Sequence, residues 1–577
     1  MKRILSYAKP FLWIIIGVLV LKLAGAVLDL LIPSALGDII DVAVPEARAT
    51  GESWVVIQFG LRMVLFAALA FGCNLTANII TSHVASRVVE NLRQDLFHKI
   101  SHLSARQLDE VTVPSAISRL TSDTYNINTM FVRCLRMGVR APILMLGGIV
   151  VTLFQDPVLT LTLVVAMPLI AFVILTLTKK AIPLFRQRQT ILDRMVRKVQ
   201  ESATGIRVIK ALSKTGYEME HYDNVNAELA DKKLEAGMVM AKSRPLTSLI
   251  LNISLVTVVV LGAVRVNGGA MQPGKIVAFI NYFTIILNAT LSISNIFMVT
   301  TNGIASGQRV SEVLEMPETM GLEDIPGMAN DNAVEFRDVS FSYNGVEHNI
   351  SHLSFALKKG ETLGIIGATG SGKTTILNLL LRFYDVDEGQ ILIDGQDVRS
   401  IPNEELRKKF GVTFQNDFLF AGTMADNIDF FRDLPSDELR RAAVLAQAAQ
   451  FIDEKGGMQD MLTIRGNNRS GGQKQRLLIA RALAGDPEIL LLDDASSALD
   501  YQTDASLRKA LAENFADTTK IIVAQRVSSI RSADQILVLD NGEVIGHGTH
   551  EELMATCESY QEIAHIQMES EEVEVHA

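Results

Sequence analysis

The sequence predicts a multidomain membrane protein, with an all-α transmembrane domain of six helices followed by an α/β domain. Long uncharged apolar stretches occur only in the first half of the 577 residues, and short β-rich runs begin at Val334. The charge divides at the same place: residues 1–325 carry 31 basic and 24 acidic side chains (net +7), whereas residues 326–577 carry 23 and 40 (net −17). The expected domains are a transmembrane domain at 1–320, an α/β domain at 330–568 and an acidic tail at 569–577.

Six apolar stretches are long enough to cross about 30 Å of hydrocarbon as helices. The third is the shortest, and the polar Gln155-Asp156-Pro157 segment is expected to form the turn that joins it to the fourth. The first is expected to be a retained helix and not a secretory signal peptide, because its apolar run is too long. The predicted spans are Phe11–Leu31, Val55–Ile80, Gly138–Phe154, Val158–Leu177, Leu246–Val264 and Ile276–Val299.

Lysine and arginine residues beside the spans predict the orientation in the membrane. The segment from Lys179 to Arg244, after the fourth span, holds fourteen of them, whereas the segment after the first span holds only Arg48. Because cytoplasmic loops carry the excess of these residues, both termini and two long loops, at about 81–137 and 178–245, are expected to be cytoplasmic. The predicted location is therefore the cell membrane, as a multi-pass protein in contact with lipid.

Both long loops are rich in helix formers and mixed charges, which favours helical hairpins. An arm of about 28 residues projects roughly 40 Å beyond the bilayer at the α-helical rise. The spans are expected to continue into the cytoplasm, with turning points near Val113-Pro114-Ser115 and Ala203-Thr204-Gly205 that contact another domain. The alternative is that the loops lie as amphipathic helices on the inner leaflet.

The composition excludes several classes of protein. With 48% apolar residues and a positive mean hydropathy, the chain is neither disordered, collagen-like nor a small disulfide-stapled domain. The acidic second half argues against sequence-independent DNA binding, so no nucleic-acid partner is expected. Cys73, Cys134 and Cys557 stand far apart and are expected to be free thiols.

A phosphate-binding loop follows the apolar run Leu363–Ile366 and matches the pattern GxxxxGK[ST]. Its glycines let backbone N–H groups turn toward phosphates, Lys373 is expected to reach the β- and γ-phosphates, and Thr374 is expected to ligate Mg²⁺. The N-terminus of the following helix adds a favourable dipole. The residues predicted to bind the nucleotide here are Gly367, Ala368, Thr369, Gly370, Ser371, Gly372, Lys373, Thr374 and Thr375.

A second apolar run, Ile489–Leu492, delivers Asp493 and Asp494 at its carboxyl end, where α/β sheets place their chemistry. Because a phosphate loop precedes them, Asp493 is expected to hold Mg²⁺, directly or through water. The alternative is a carboxylate pair that merely ends a strand.

Further motifs follow in a fixed order, at Val412–Gln415, Ser470–Arg476, Leu490–Asp494 and Ser497–Asp500. With the phosphate loop, this order resembles the nucleotide-binding domain of an ABC transporter. The six spans with two long cytoplasmic loops are similar to the exporter (type IV) half-transporters of that superfamily. The resemblance covers nearly the whole chain, from about Met1 to Gln567.

The resemblance implies ATP-driven export by two nucleotide-binding domains that clamp two ATP molecules, with Mg²⁺, head to tail. Tyr343 would stack on adenine, and Gln415 would join Mg²⁺ and the attacking water to the stalk contacts. Asp500 would cross to the opposite subunit. The residues that would start a helix against the γ-phosphate of the second subunit's ATP are Ser470, Gly471, Gly472 and Gln473.

Two catalytic positions depart from the family pattern. Asp494 stands where a glutamate base is usual, and losing one methylene withdraws the carboxylate by more than about 1 Å, which can cost about a hundredfold in rate. Gln525 stands where a switch histidine is usual, and an amide neither carries a charge nor shuttles a proton. The loop before Ser470–Gln473, the signature segment, also departs from the family pattern. It has Ile464 where an acidic residue is usual and Arg469 where a leucine is usual.

The binding elements are thus intact, while the hydrolytic elements are degraded. This predicts the degenerate-site subunit of a heterodimer, whose partner half-transporter supplies the glutamate and the histidine. ATP would be hydrolysed mainly at the composite site that this chain's Ser470–Gln473 signature completes. A homodimer with two slow sites and an ATP-gated regulator that does not pump are the alternatives.

For the cargo, the resemblance implies only a class, a small amphipathic drug or lipid. Lys22, Asp29 and Arg62 lie within predicted spans and could line a translocation path, because ionisable groups in hydrocarbon usually face the bundle interior. Alternatively, they snorkel to the interface or pair with the partner subunit. No peptidase domain precedes the first span, so a peptide-processing exporter is not expected.

Overall fold

The computed structural model describes residues 1–317, 320–328, 330–415 and 418–575. The chain forms two compact units. The first comprises Met1–Ser101 and Pro114–Met316, and the second comprises His102–Val113 and the chain from Pro317 onward. The first unit is helical, and the second is an α/β unit that also includes the short segment 102–113.

Six helical stretches within the described residues are long and apolar enough to cross a membrane, which confirms the six predicted spans. Most run well beyond their apolar stretches. They are Lys2–Thr50, Trp54–Ser101, Val113–Gln155, Pro157–Thr204, Thr215–Asn267 and Pro273–Leu314. The helices of this unit are Lys2–Ser6, Leu12–Asp38, Val44–Thr50, Trp54–Ser101, Val113–Ser118, Thr124–Met137, Arg140–Gln155, Pro157–Thr204, Ile206–Ala211, Thr215–Ala241, Ser243–Asn267 and Pro273–Leu314, with π-helical turns at Ile39–Ala43 and Arg119–Asp123.

Asp156 forms the predicted turn between the third and fourth spans. Its Oδ1 accepts hydrogen bonds from the backbone N–H groups of Val158 and Leu159 at 2.9 and 3.1 Å, which caps the helix that begins at Pro157. Its Oδ2 accepts from Arg265 Nε at 2.6 Å. A buried carboxylate is tolerated here because the helix N-terminus and a guanidinium both satisfy it.

The tip of the first hairpin differs from the prediction near Val113-Pro114-Ser115. The long helix ends at Ser101, and a short helix, Ala105–Val111, follows before the chain returns. A capping box starts this short helix: Ser104 Oγ accepts from the N–H of Gln107, and the Gln107 side chain accepts from the N–H of Ser104. The sequence reading was wrong because Pro114 lies in the first turn of the next helix, where proline is tolerated, and does not mark the turn itself.

The tip of the second hairpin lies where the sequence predicts it. The helix Pro157–Thr204 ends just before Gly205, and Ile206–Ala211 begins immediately after. A continuous helix of 48 residues exceeds what the bilayer requires, which supports stalks that extend from the membrane over helices lying flat on it.

The three ionisable residues predicted within spans occupy two different environments. Lys22 is buried and donates from Nζ to Asn78 Oδ1 at 2.8 Å. Asp29 accepts from Arg140 Nη2 at 2.7 Å. Arg62 lies 5.5 Å from the centre of the Phe66 ring. The first two therefore face other helices of the unit, while the third stacks along its own helix.

The second unit contains two sheets that matter for the site. The described strands are β1 Asn332–Phe341, β2 Ile350–Lys358, β3 Thr362–Gly367, β4 Glu388–Ile393, β5 Gln396–Asp397, β6 Phe410–Thr413, β7 Gly422–Thr423, β8 Met461–Leu462, β9 Ile489–Asp493, β10 Thr519–Val523, β11 Gln535–Asp540 and β12 Glu543–Gly548. The antiparallel sheet has the strand order β2-β1-β4-β5, and the larger sheet has the order β12-β11-β3-β10-β9-β6. Among the described strands, β7 pairs only with β8. The helices are Ala105–Val111, Lys373–Leu380, Asn403–Lys408, Met424–Asp429, Ser436–Leu445, Ala449–Glu454, Gly471–Leu483, Tyr501–Asn514, His550–Thr556 and Glu558–Val575.

The parallel register of the larger sheet positions the site. β10 lies between β3 and β9, so that Val523 pairs with Ile365 on one side and with Asp493 on the other. Every residue of β9 is buried, as continuous apolar runs predict for a central parallel strand. The carboxyl ends of these three strands therefore meet at one edge of the sheet.

The last helix extends into the acidic tail predicted at 569–577. The helix that begins at Glu558 continues to Val575, since glutamate is a good helix former. Residues 576 and 577 lie outside the described residues. Cys73, Cys134 and Cys557 are free thiols, as predicted.

Candidate active site

The phosphate loop joins β3 to the helix Lys373–Leu380. Gly370 and Gly372 adopt left-handed backbone conformations, with φ of 86° and 99°. A Cβ at Gly372 would lie 2.7 Å from the carbonyl oxygen of Asn349, so this position also needs glycine for close packing. The loop adopts this conformation because glycine, which has no Cβ, fits both the left-handed backbone and the close packing.

Lys373 lies across the mouth of the loop. Its Nζ donates to the carbonyl oxygens of Gly367 and Ala368 at 2.9 and 2.7 Å. Burial lowers the pKa of Lys373, and the charges of Asp493 and Asp494 oppose that change. An ammonium group held at this position carries the positive charge that polyphosphate binding requires.

Thr374 and Asp493 come together as predicted for a Mg²⁺ site. Thr374 Oγ1 donates to Asp493 Oδ2 at 3.0 Å, across the edge where β9 ends. Asp493 is only 2% exposed, and this burial raises its pKa. A buried carboxylate beside a hydroxyl fits Mg²⁺, which prefers hard oxygen ligands.

These two residues do not form a complete protein cage for a metal ion. Among the described residues, no cluster of three or more histidine, cysteine, aspartate or glutamate side chains could hold one. Mg²⁺ typically keeps several waters and binds through one or two protein groups together with substrate phosphates. The donor set therefore fits an ion that arrives with a nucleotide, and the bound ion would neutralise phosphate charge.

The Asp494 carboxylate contacts the side chain at the other substituted position. Gln525, two residues beyond β10, donates from Nε2 to Asp494 Oδ2 at 2.8 Å. Burial raises the pKa of Asp494, while hydrogen bonding from Gln415 and the charge of Arg526 oppose the rise. The backbone of Gln525 is held in turn, because Gln567 Nε2 donates to its carbonyl oxygen at 2.8 Å.

The position of Gln415 agrees with its predicted place beside the two aspartates. It follows β6, which pairs with β9, and its backbone and side chain influence the pKa values of Asp493 and Asp494 respectively. Gln415 and Gln525 are therefore both within reach of Asp494 at one edge of the sheet.

Ser470–Gln473, the signature segment of this chain, starts a helix as predicted. Ser470 Oγ accepts from the N–H of Gln473, and the Gln473 side chain accepts from the N–H of Ser470, so the two form a capping box. The helix Gly471–Leu483 thus begins with free backbone N–H groups, which favour an anion. Gln475 fixes the segment near Asp500, since its side chain donates to Ser497 Oγ and accepts from the N–H of Ala498, each at 2.8 Å.

Arg469 has a structural explanation that the sequence did not reveal. Its guanidinium forms an ion pair with Asp460 and is 8% exposed. An arginine in place of the usual leucine is tolerated just before the signature because the carboxylate compensates its charge.

Tyr343 lies beside the phosphate loop helix. Its hydroxyl accepts from Asn378 Nδ2 at 3.1 Å and is 3.4 Å from Thr375 Oγ1, and its ring packs edge-on against Phe341 and Tyr384 at 4.9 and 5.0 Å. The side chain is 39% exposed, which leaves part of the ring open to a ligand.

The short helix Ala105–Val111, which comes from between the second and third spans, contacts this aromatic group. Tyr384 Oη donates to Asp109 Oδ2 at 2.7 Å, and Arg106 Nη2 donates to the carbonyl oxygen of Ser342 at 3.2 Å. Burial and the Asp109 carboxylate raise the pKa of Tyr384. The sequence predicts that the hairpin tips contact another domain, but it does not identify these residues, because nothing in either local pattern relates residues 275 positions apart.

The family model described as ABC transporter transmembrane region matches residues 14–290, and the model described as ABC transporter matches residues 350–497. The chain belongs to the ABC transporter family. It is an ATP-driven ABC exporter half-transporter, with its transmembrane and nucleotide-binding domains on one polypeptide.

Relatives of this ABC exporter align along nearly their whole length. YfiB of Bacillus subtilis, described as an uncharacterized ABC transporter ATP-binding protein, is 35% identical over 98% of both chains. A Mycobacterium tuberculosis protein of the same description, MT1311, is 33% identical over 97% of both chains. A solved structure, that of a bacterial Atm1-family ABC exporter with ATP bound, matches with a TM-score of 0.77 and 25% identity, covering 94% of this chain and 97% of that chain.

Asp500 caps a helix in this exporter, a role that sequence reasoning also missed. Its carboxylate accepts from the backbone N–H and the hydroxyl of Thr503 at 2.9 and 2.7 Å, at the start of the helix Tyr501–Asn514. A cavity of about 540 Å³ has Asp494, Asp500 and Gln525 in its wall. Asp500 thus lines the same cavity as Asp494 and Gln525.

We expect Asp500→Ala to lower the thermal unfolding temperature of the nucleotide-binding domain, because losing an N-cap costs about 1 kcal/mol. Asp500→Asn keeps a cap and should unfold close to the unchanged chain, as measured by differential scanning fluorimetry of the purified exporter. If asparagine destabilised the domain as much as alanine, the negative charge and not the cap would be the stabilising feature.

Proposed function

We propose that this chain is the degenerate-site subunit of a heterodimeric ABC exporter that moves a small amphipathic substrate of the drug or lipid class. The observation that carries the proposal is the 2.8 Å contact between Gln525 Nε2 and Asp494 Oδ2. It joins the two catalytic positions at which this chain departs from the family pattern.

The contact affects both hydrolytic functions at once. A carboxylate that accepts a hydrogen bond from an amide is a weaker base, and one of its oxygens is occupied on the side of the switch position. The amide itself remains neutral, so it cannot stabilise charge on a phosphate as an imidazolium would. ATP bound at this site would therefore be turned over slowly.

The binding elements of the same chain are complete. Lys373 lies across the phosphate loop, and Thr374 and Asp493 form a donor pair suited to Mg²⁺. The signature helix begins with a satisfied capping box and free N–H groups. These features support a subunit that holds one ATP firmly and completes a second, competent site on its partner.

The short helix Ala105–Val111 supports coupling between nucleotide and transport. It belongs to the second compact unit, where Asp109 meets Tyr384 and Tyr384 packs against Tyr343 beside the phosphate loop helix. A nucleotide that binds more tightly to one arrangement of these groups shifts the population of conformations by that difference in affinity. ATP binding would thus be transmitted to the helices of the second and third spans.

The orientation follows from the lysine and arginine residues in the loops. The fourteen basic residues between Lys179 and Arg244 favour a cytoplasmic second hairpin. In the proposed topology the protein is multi-pass in the cell membrane, and both termini and the nucleotide-binding domain lie on the cytoplasmic side.

The proposal is tested in vesicles that contain this chain together with its partner half-transporter. With ATP outside inverted vesicles, an amphipathic dye should accumulate inside against its gradient, and vesicles with either chain alone should accumulate much less. Dissipation of an imposed gradient without accumulation would instead identify an ATP-gated regulator. Equal pumping by this chain alone would identify a homodimer and contradict the proposal.

A further inference from the structure

The transmembrane unit holds a cavity of about 360 Å³ with strongly basic walls. We propose that this cavity binds the anionic group, a phosphate or carboxylate, of an amphipathic molecule. The inference rests on the proposed export of an amphipathic substrate and specifies the charge of that substrate. Its polar lining residues are Lys22, Asn78, Arg133, Arg136 and Arg140.

Lys22 is the most buried of these cations. It is 2% exposed, near the middle of the first predicted span, and its Nζ donates to the side-chain oxygens of Asn78 and Asn74 at 2.8 and 3.4 Å. Both partners are neutral amides. A buried ammonium without a direct counter-ion is costly in a membrane protein, so a bound anion would lower its free energy.

Two arginines around the cavity, Arg136 and Arg140, have hydrogen-bond donors without an acceptor in the described part of the chain. Arg136 donates from Nη2 to Ser82 Oγ at 2.5 Å, and Arg140 pairs with Asp29 at 2.7 Å. The Nε atoms of both arginines are buried, and neither has a hydrogen-bond partner in the described part of the chain. Buried guanidinium nitrogens that lack acceptors point to a missing acceptor, since most such groups are satisfied in native structures.

The charge balance of the cavity favours an anion. Lys22, Arg133, Arg136 and Arg140 carry four positive charges. Among the described residues that line the cavity or form an ion pair with these cations, Asp29, which pairs with Arg140, carries the one carboxylate. Arg136 and Arg140 repel Lys22, whereas Asp29 attracts it. Four cations facing one carboxylate destabilise one another unless a further negative group enters.

The shape and remaining walls of the cavity suit a headgroup with an apolar tail. Its volume is at the lower end of small-molecule pockets, and Val132 and Met137 complete the lining. Planar guanidinium forks recognise phosphate and carboxylate oxygens in pairs. The chemistry therefore selects an oxyanion attached to an apolar body over a cationic amphiphile.

The test measures binding without ATP, so that its result is independent of pumping. The complete exporter in nanodiscs of zwitterionic phosphatidylcholine is titrated with n-dodecyl phosphate by isothermal titration calorimetry. Lys22→Gln and Arg136→Gln should each weaken binding about tenfold or more, since each removes a charge-assisted hydrogen bond. Arg62→Gln is the matched control, because that arginine lies in a span but outside the cavity wall, and it should leave binding unchanged.

Two further arms identify the source of the anion. If phosphatidylglycerol in the nanodiscs competes with dodecyl phosphate and Arg136→Gln removes the competition, the group is a lipid headgroup. If only the soluble amphiphile binds, it is a free substrate; both results support the site. Arg133→Gln changes an exposed member of the cavity and provides a variant that should fold even if Lys22→Gln does not.

Equal affinity of the unchanged exporter, the cavity variants and Arg62→Gln would overturn the inference, as would tighter binding of dodecyltrimethylammonium than of dodecyl phosphate. Such a failure would leave ATP-driven dye accumulation untouched. Conversely, absence of dye accumulation with intact dodecyl phosphate binding would contradict only the proposed transport.

Discussion

The double substitution Asp494→Glu with Gln525→His should raise ATP hydrolysis at this chain's own site by about tenfold or more. Glutamate moves the carboxylate forward by about the length of one methylene, and a misplacement of 1 Å can cost about a hundredfold. Histidine replaces an amide that now donates to Asp494 Oδ2 and adds a group able to carry charge. Phosphate release by the purified exporter measures the effect.

The increase in ATP hydrolysis should be easiest to measure when the partner's competent site is inactive. In a Ser470→Asp background, the partner's site of the proposed heterodimer would be blocked and the remaining hydrolysis would come from this chain's own site, so the increase should be larger in proportion. Asp437→Glu with Gln450→His makes the same chemical changes at exposed positions outside the site and should have no effect. An unchanged rate after the double substitution would show that these two positions do not limit the site.

Ser470→Asp should reduce ATP hydrolysis by the proposed heterodimer about a hundredfold, whereas Asp494→Asn should change it little. An aspartate still caps the helix that begins at Gly471. It also places a negative charge where the γ-phosphate of the partner's ATP would bind, and like charges brought together cost several kcal/mol. The two variants should differ in ATP hydrolysis because, in the proposed heterodimer, Ser470 helps to complete the partner's competent site, whereas Asp494 belongs to this chain's slow site.

Ser470→Asn is the matched control, because asparagine is as good an N-cap as aspartate but is neutral. It should retain most of the activity. If Ser470→Asn and Ser470→Asp were equally impaired, loss of the hydroxyl and not repulsion would explain the defect. If Asp494→Asn stopped hydrolysis as completely as Ser470→Asp, this chain's own site would be the principal one, and the degenerate assignment would be wrong.

Local patterns were sufficient to predict the six spans and the phosphate loop. An apolar run of about twenty residues has one stable arrangement in a bilayer, and the φ values of 86° and 99° at positions 370 and 372 strongly favour glycine. The end of β9 at Asp493 was predictable for the same reason, because four consecutive buried aliphatic residues define a central strand.

The contacts that complete the site were not predictable from one sequence. Gln525 and Asp494 meet because β9 and β10 are neighbours in the sheet, and strand order is a property of the whole domain. The first hairpin tip was misplaced because a proline at the start of a helix and a proline in a turn look alike. Asp500 was assigned to the opposite subunit by family resemblance, while its local contact with Thr503 has the ordinary signature of an N-cap.

The second compact unit is not contiguous in the chain, since it includes residues 102–113 as well as the chain from Pro317 onward. A soluble fragment that starts at Pro317 would consequently lack a piece of its own fold, leaving the Tyr384 phenol and the Ser342 carbonyl without Asp109 and Arg106. In limited proteolysis of the intact exporter, one cut near Pro317 should leave the two fragments associated, because residues 102–113 stay covalently joined to the spans while they belong to the second compact unit. Structural work on the nucleotide-binding half alone would thus benefit from adding the 102–113 segment as a synthetic peptide.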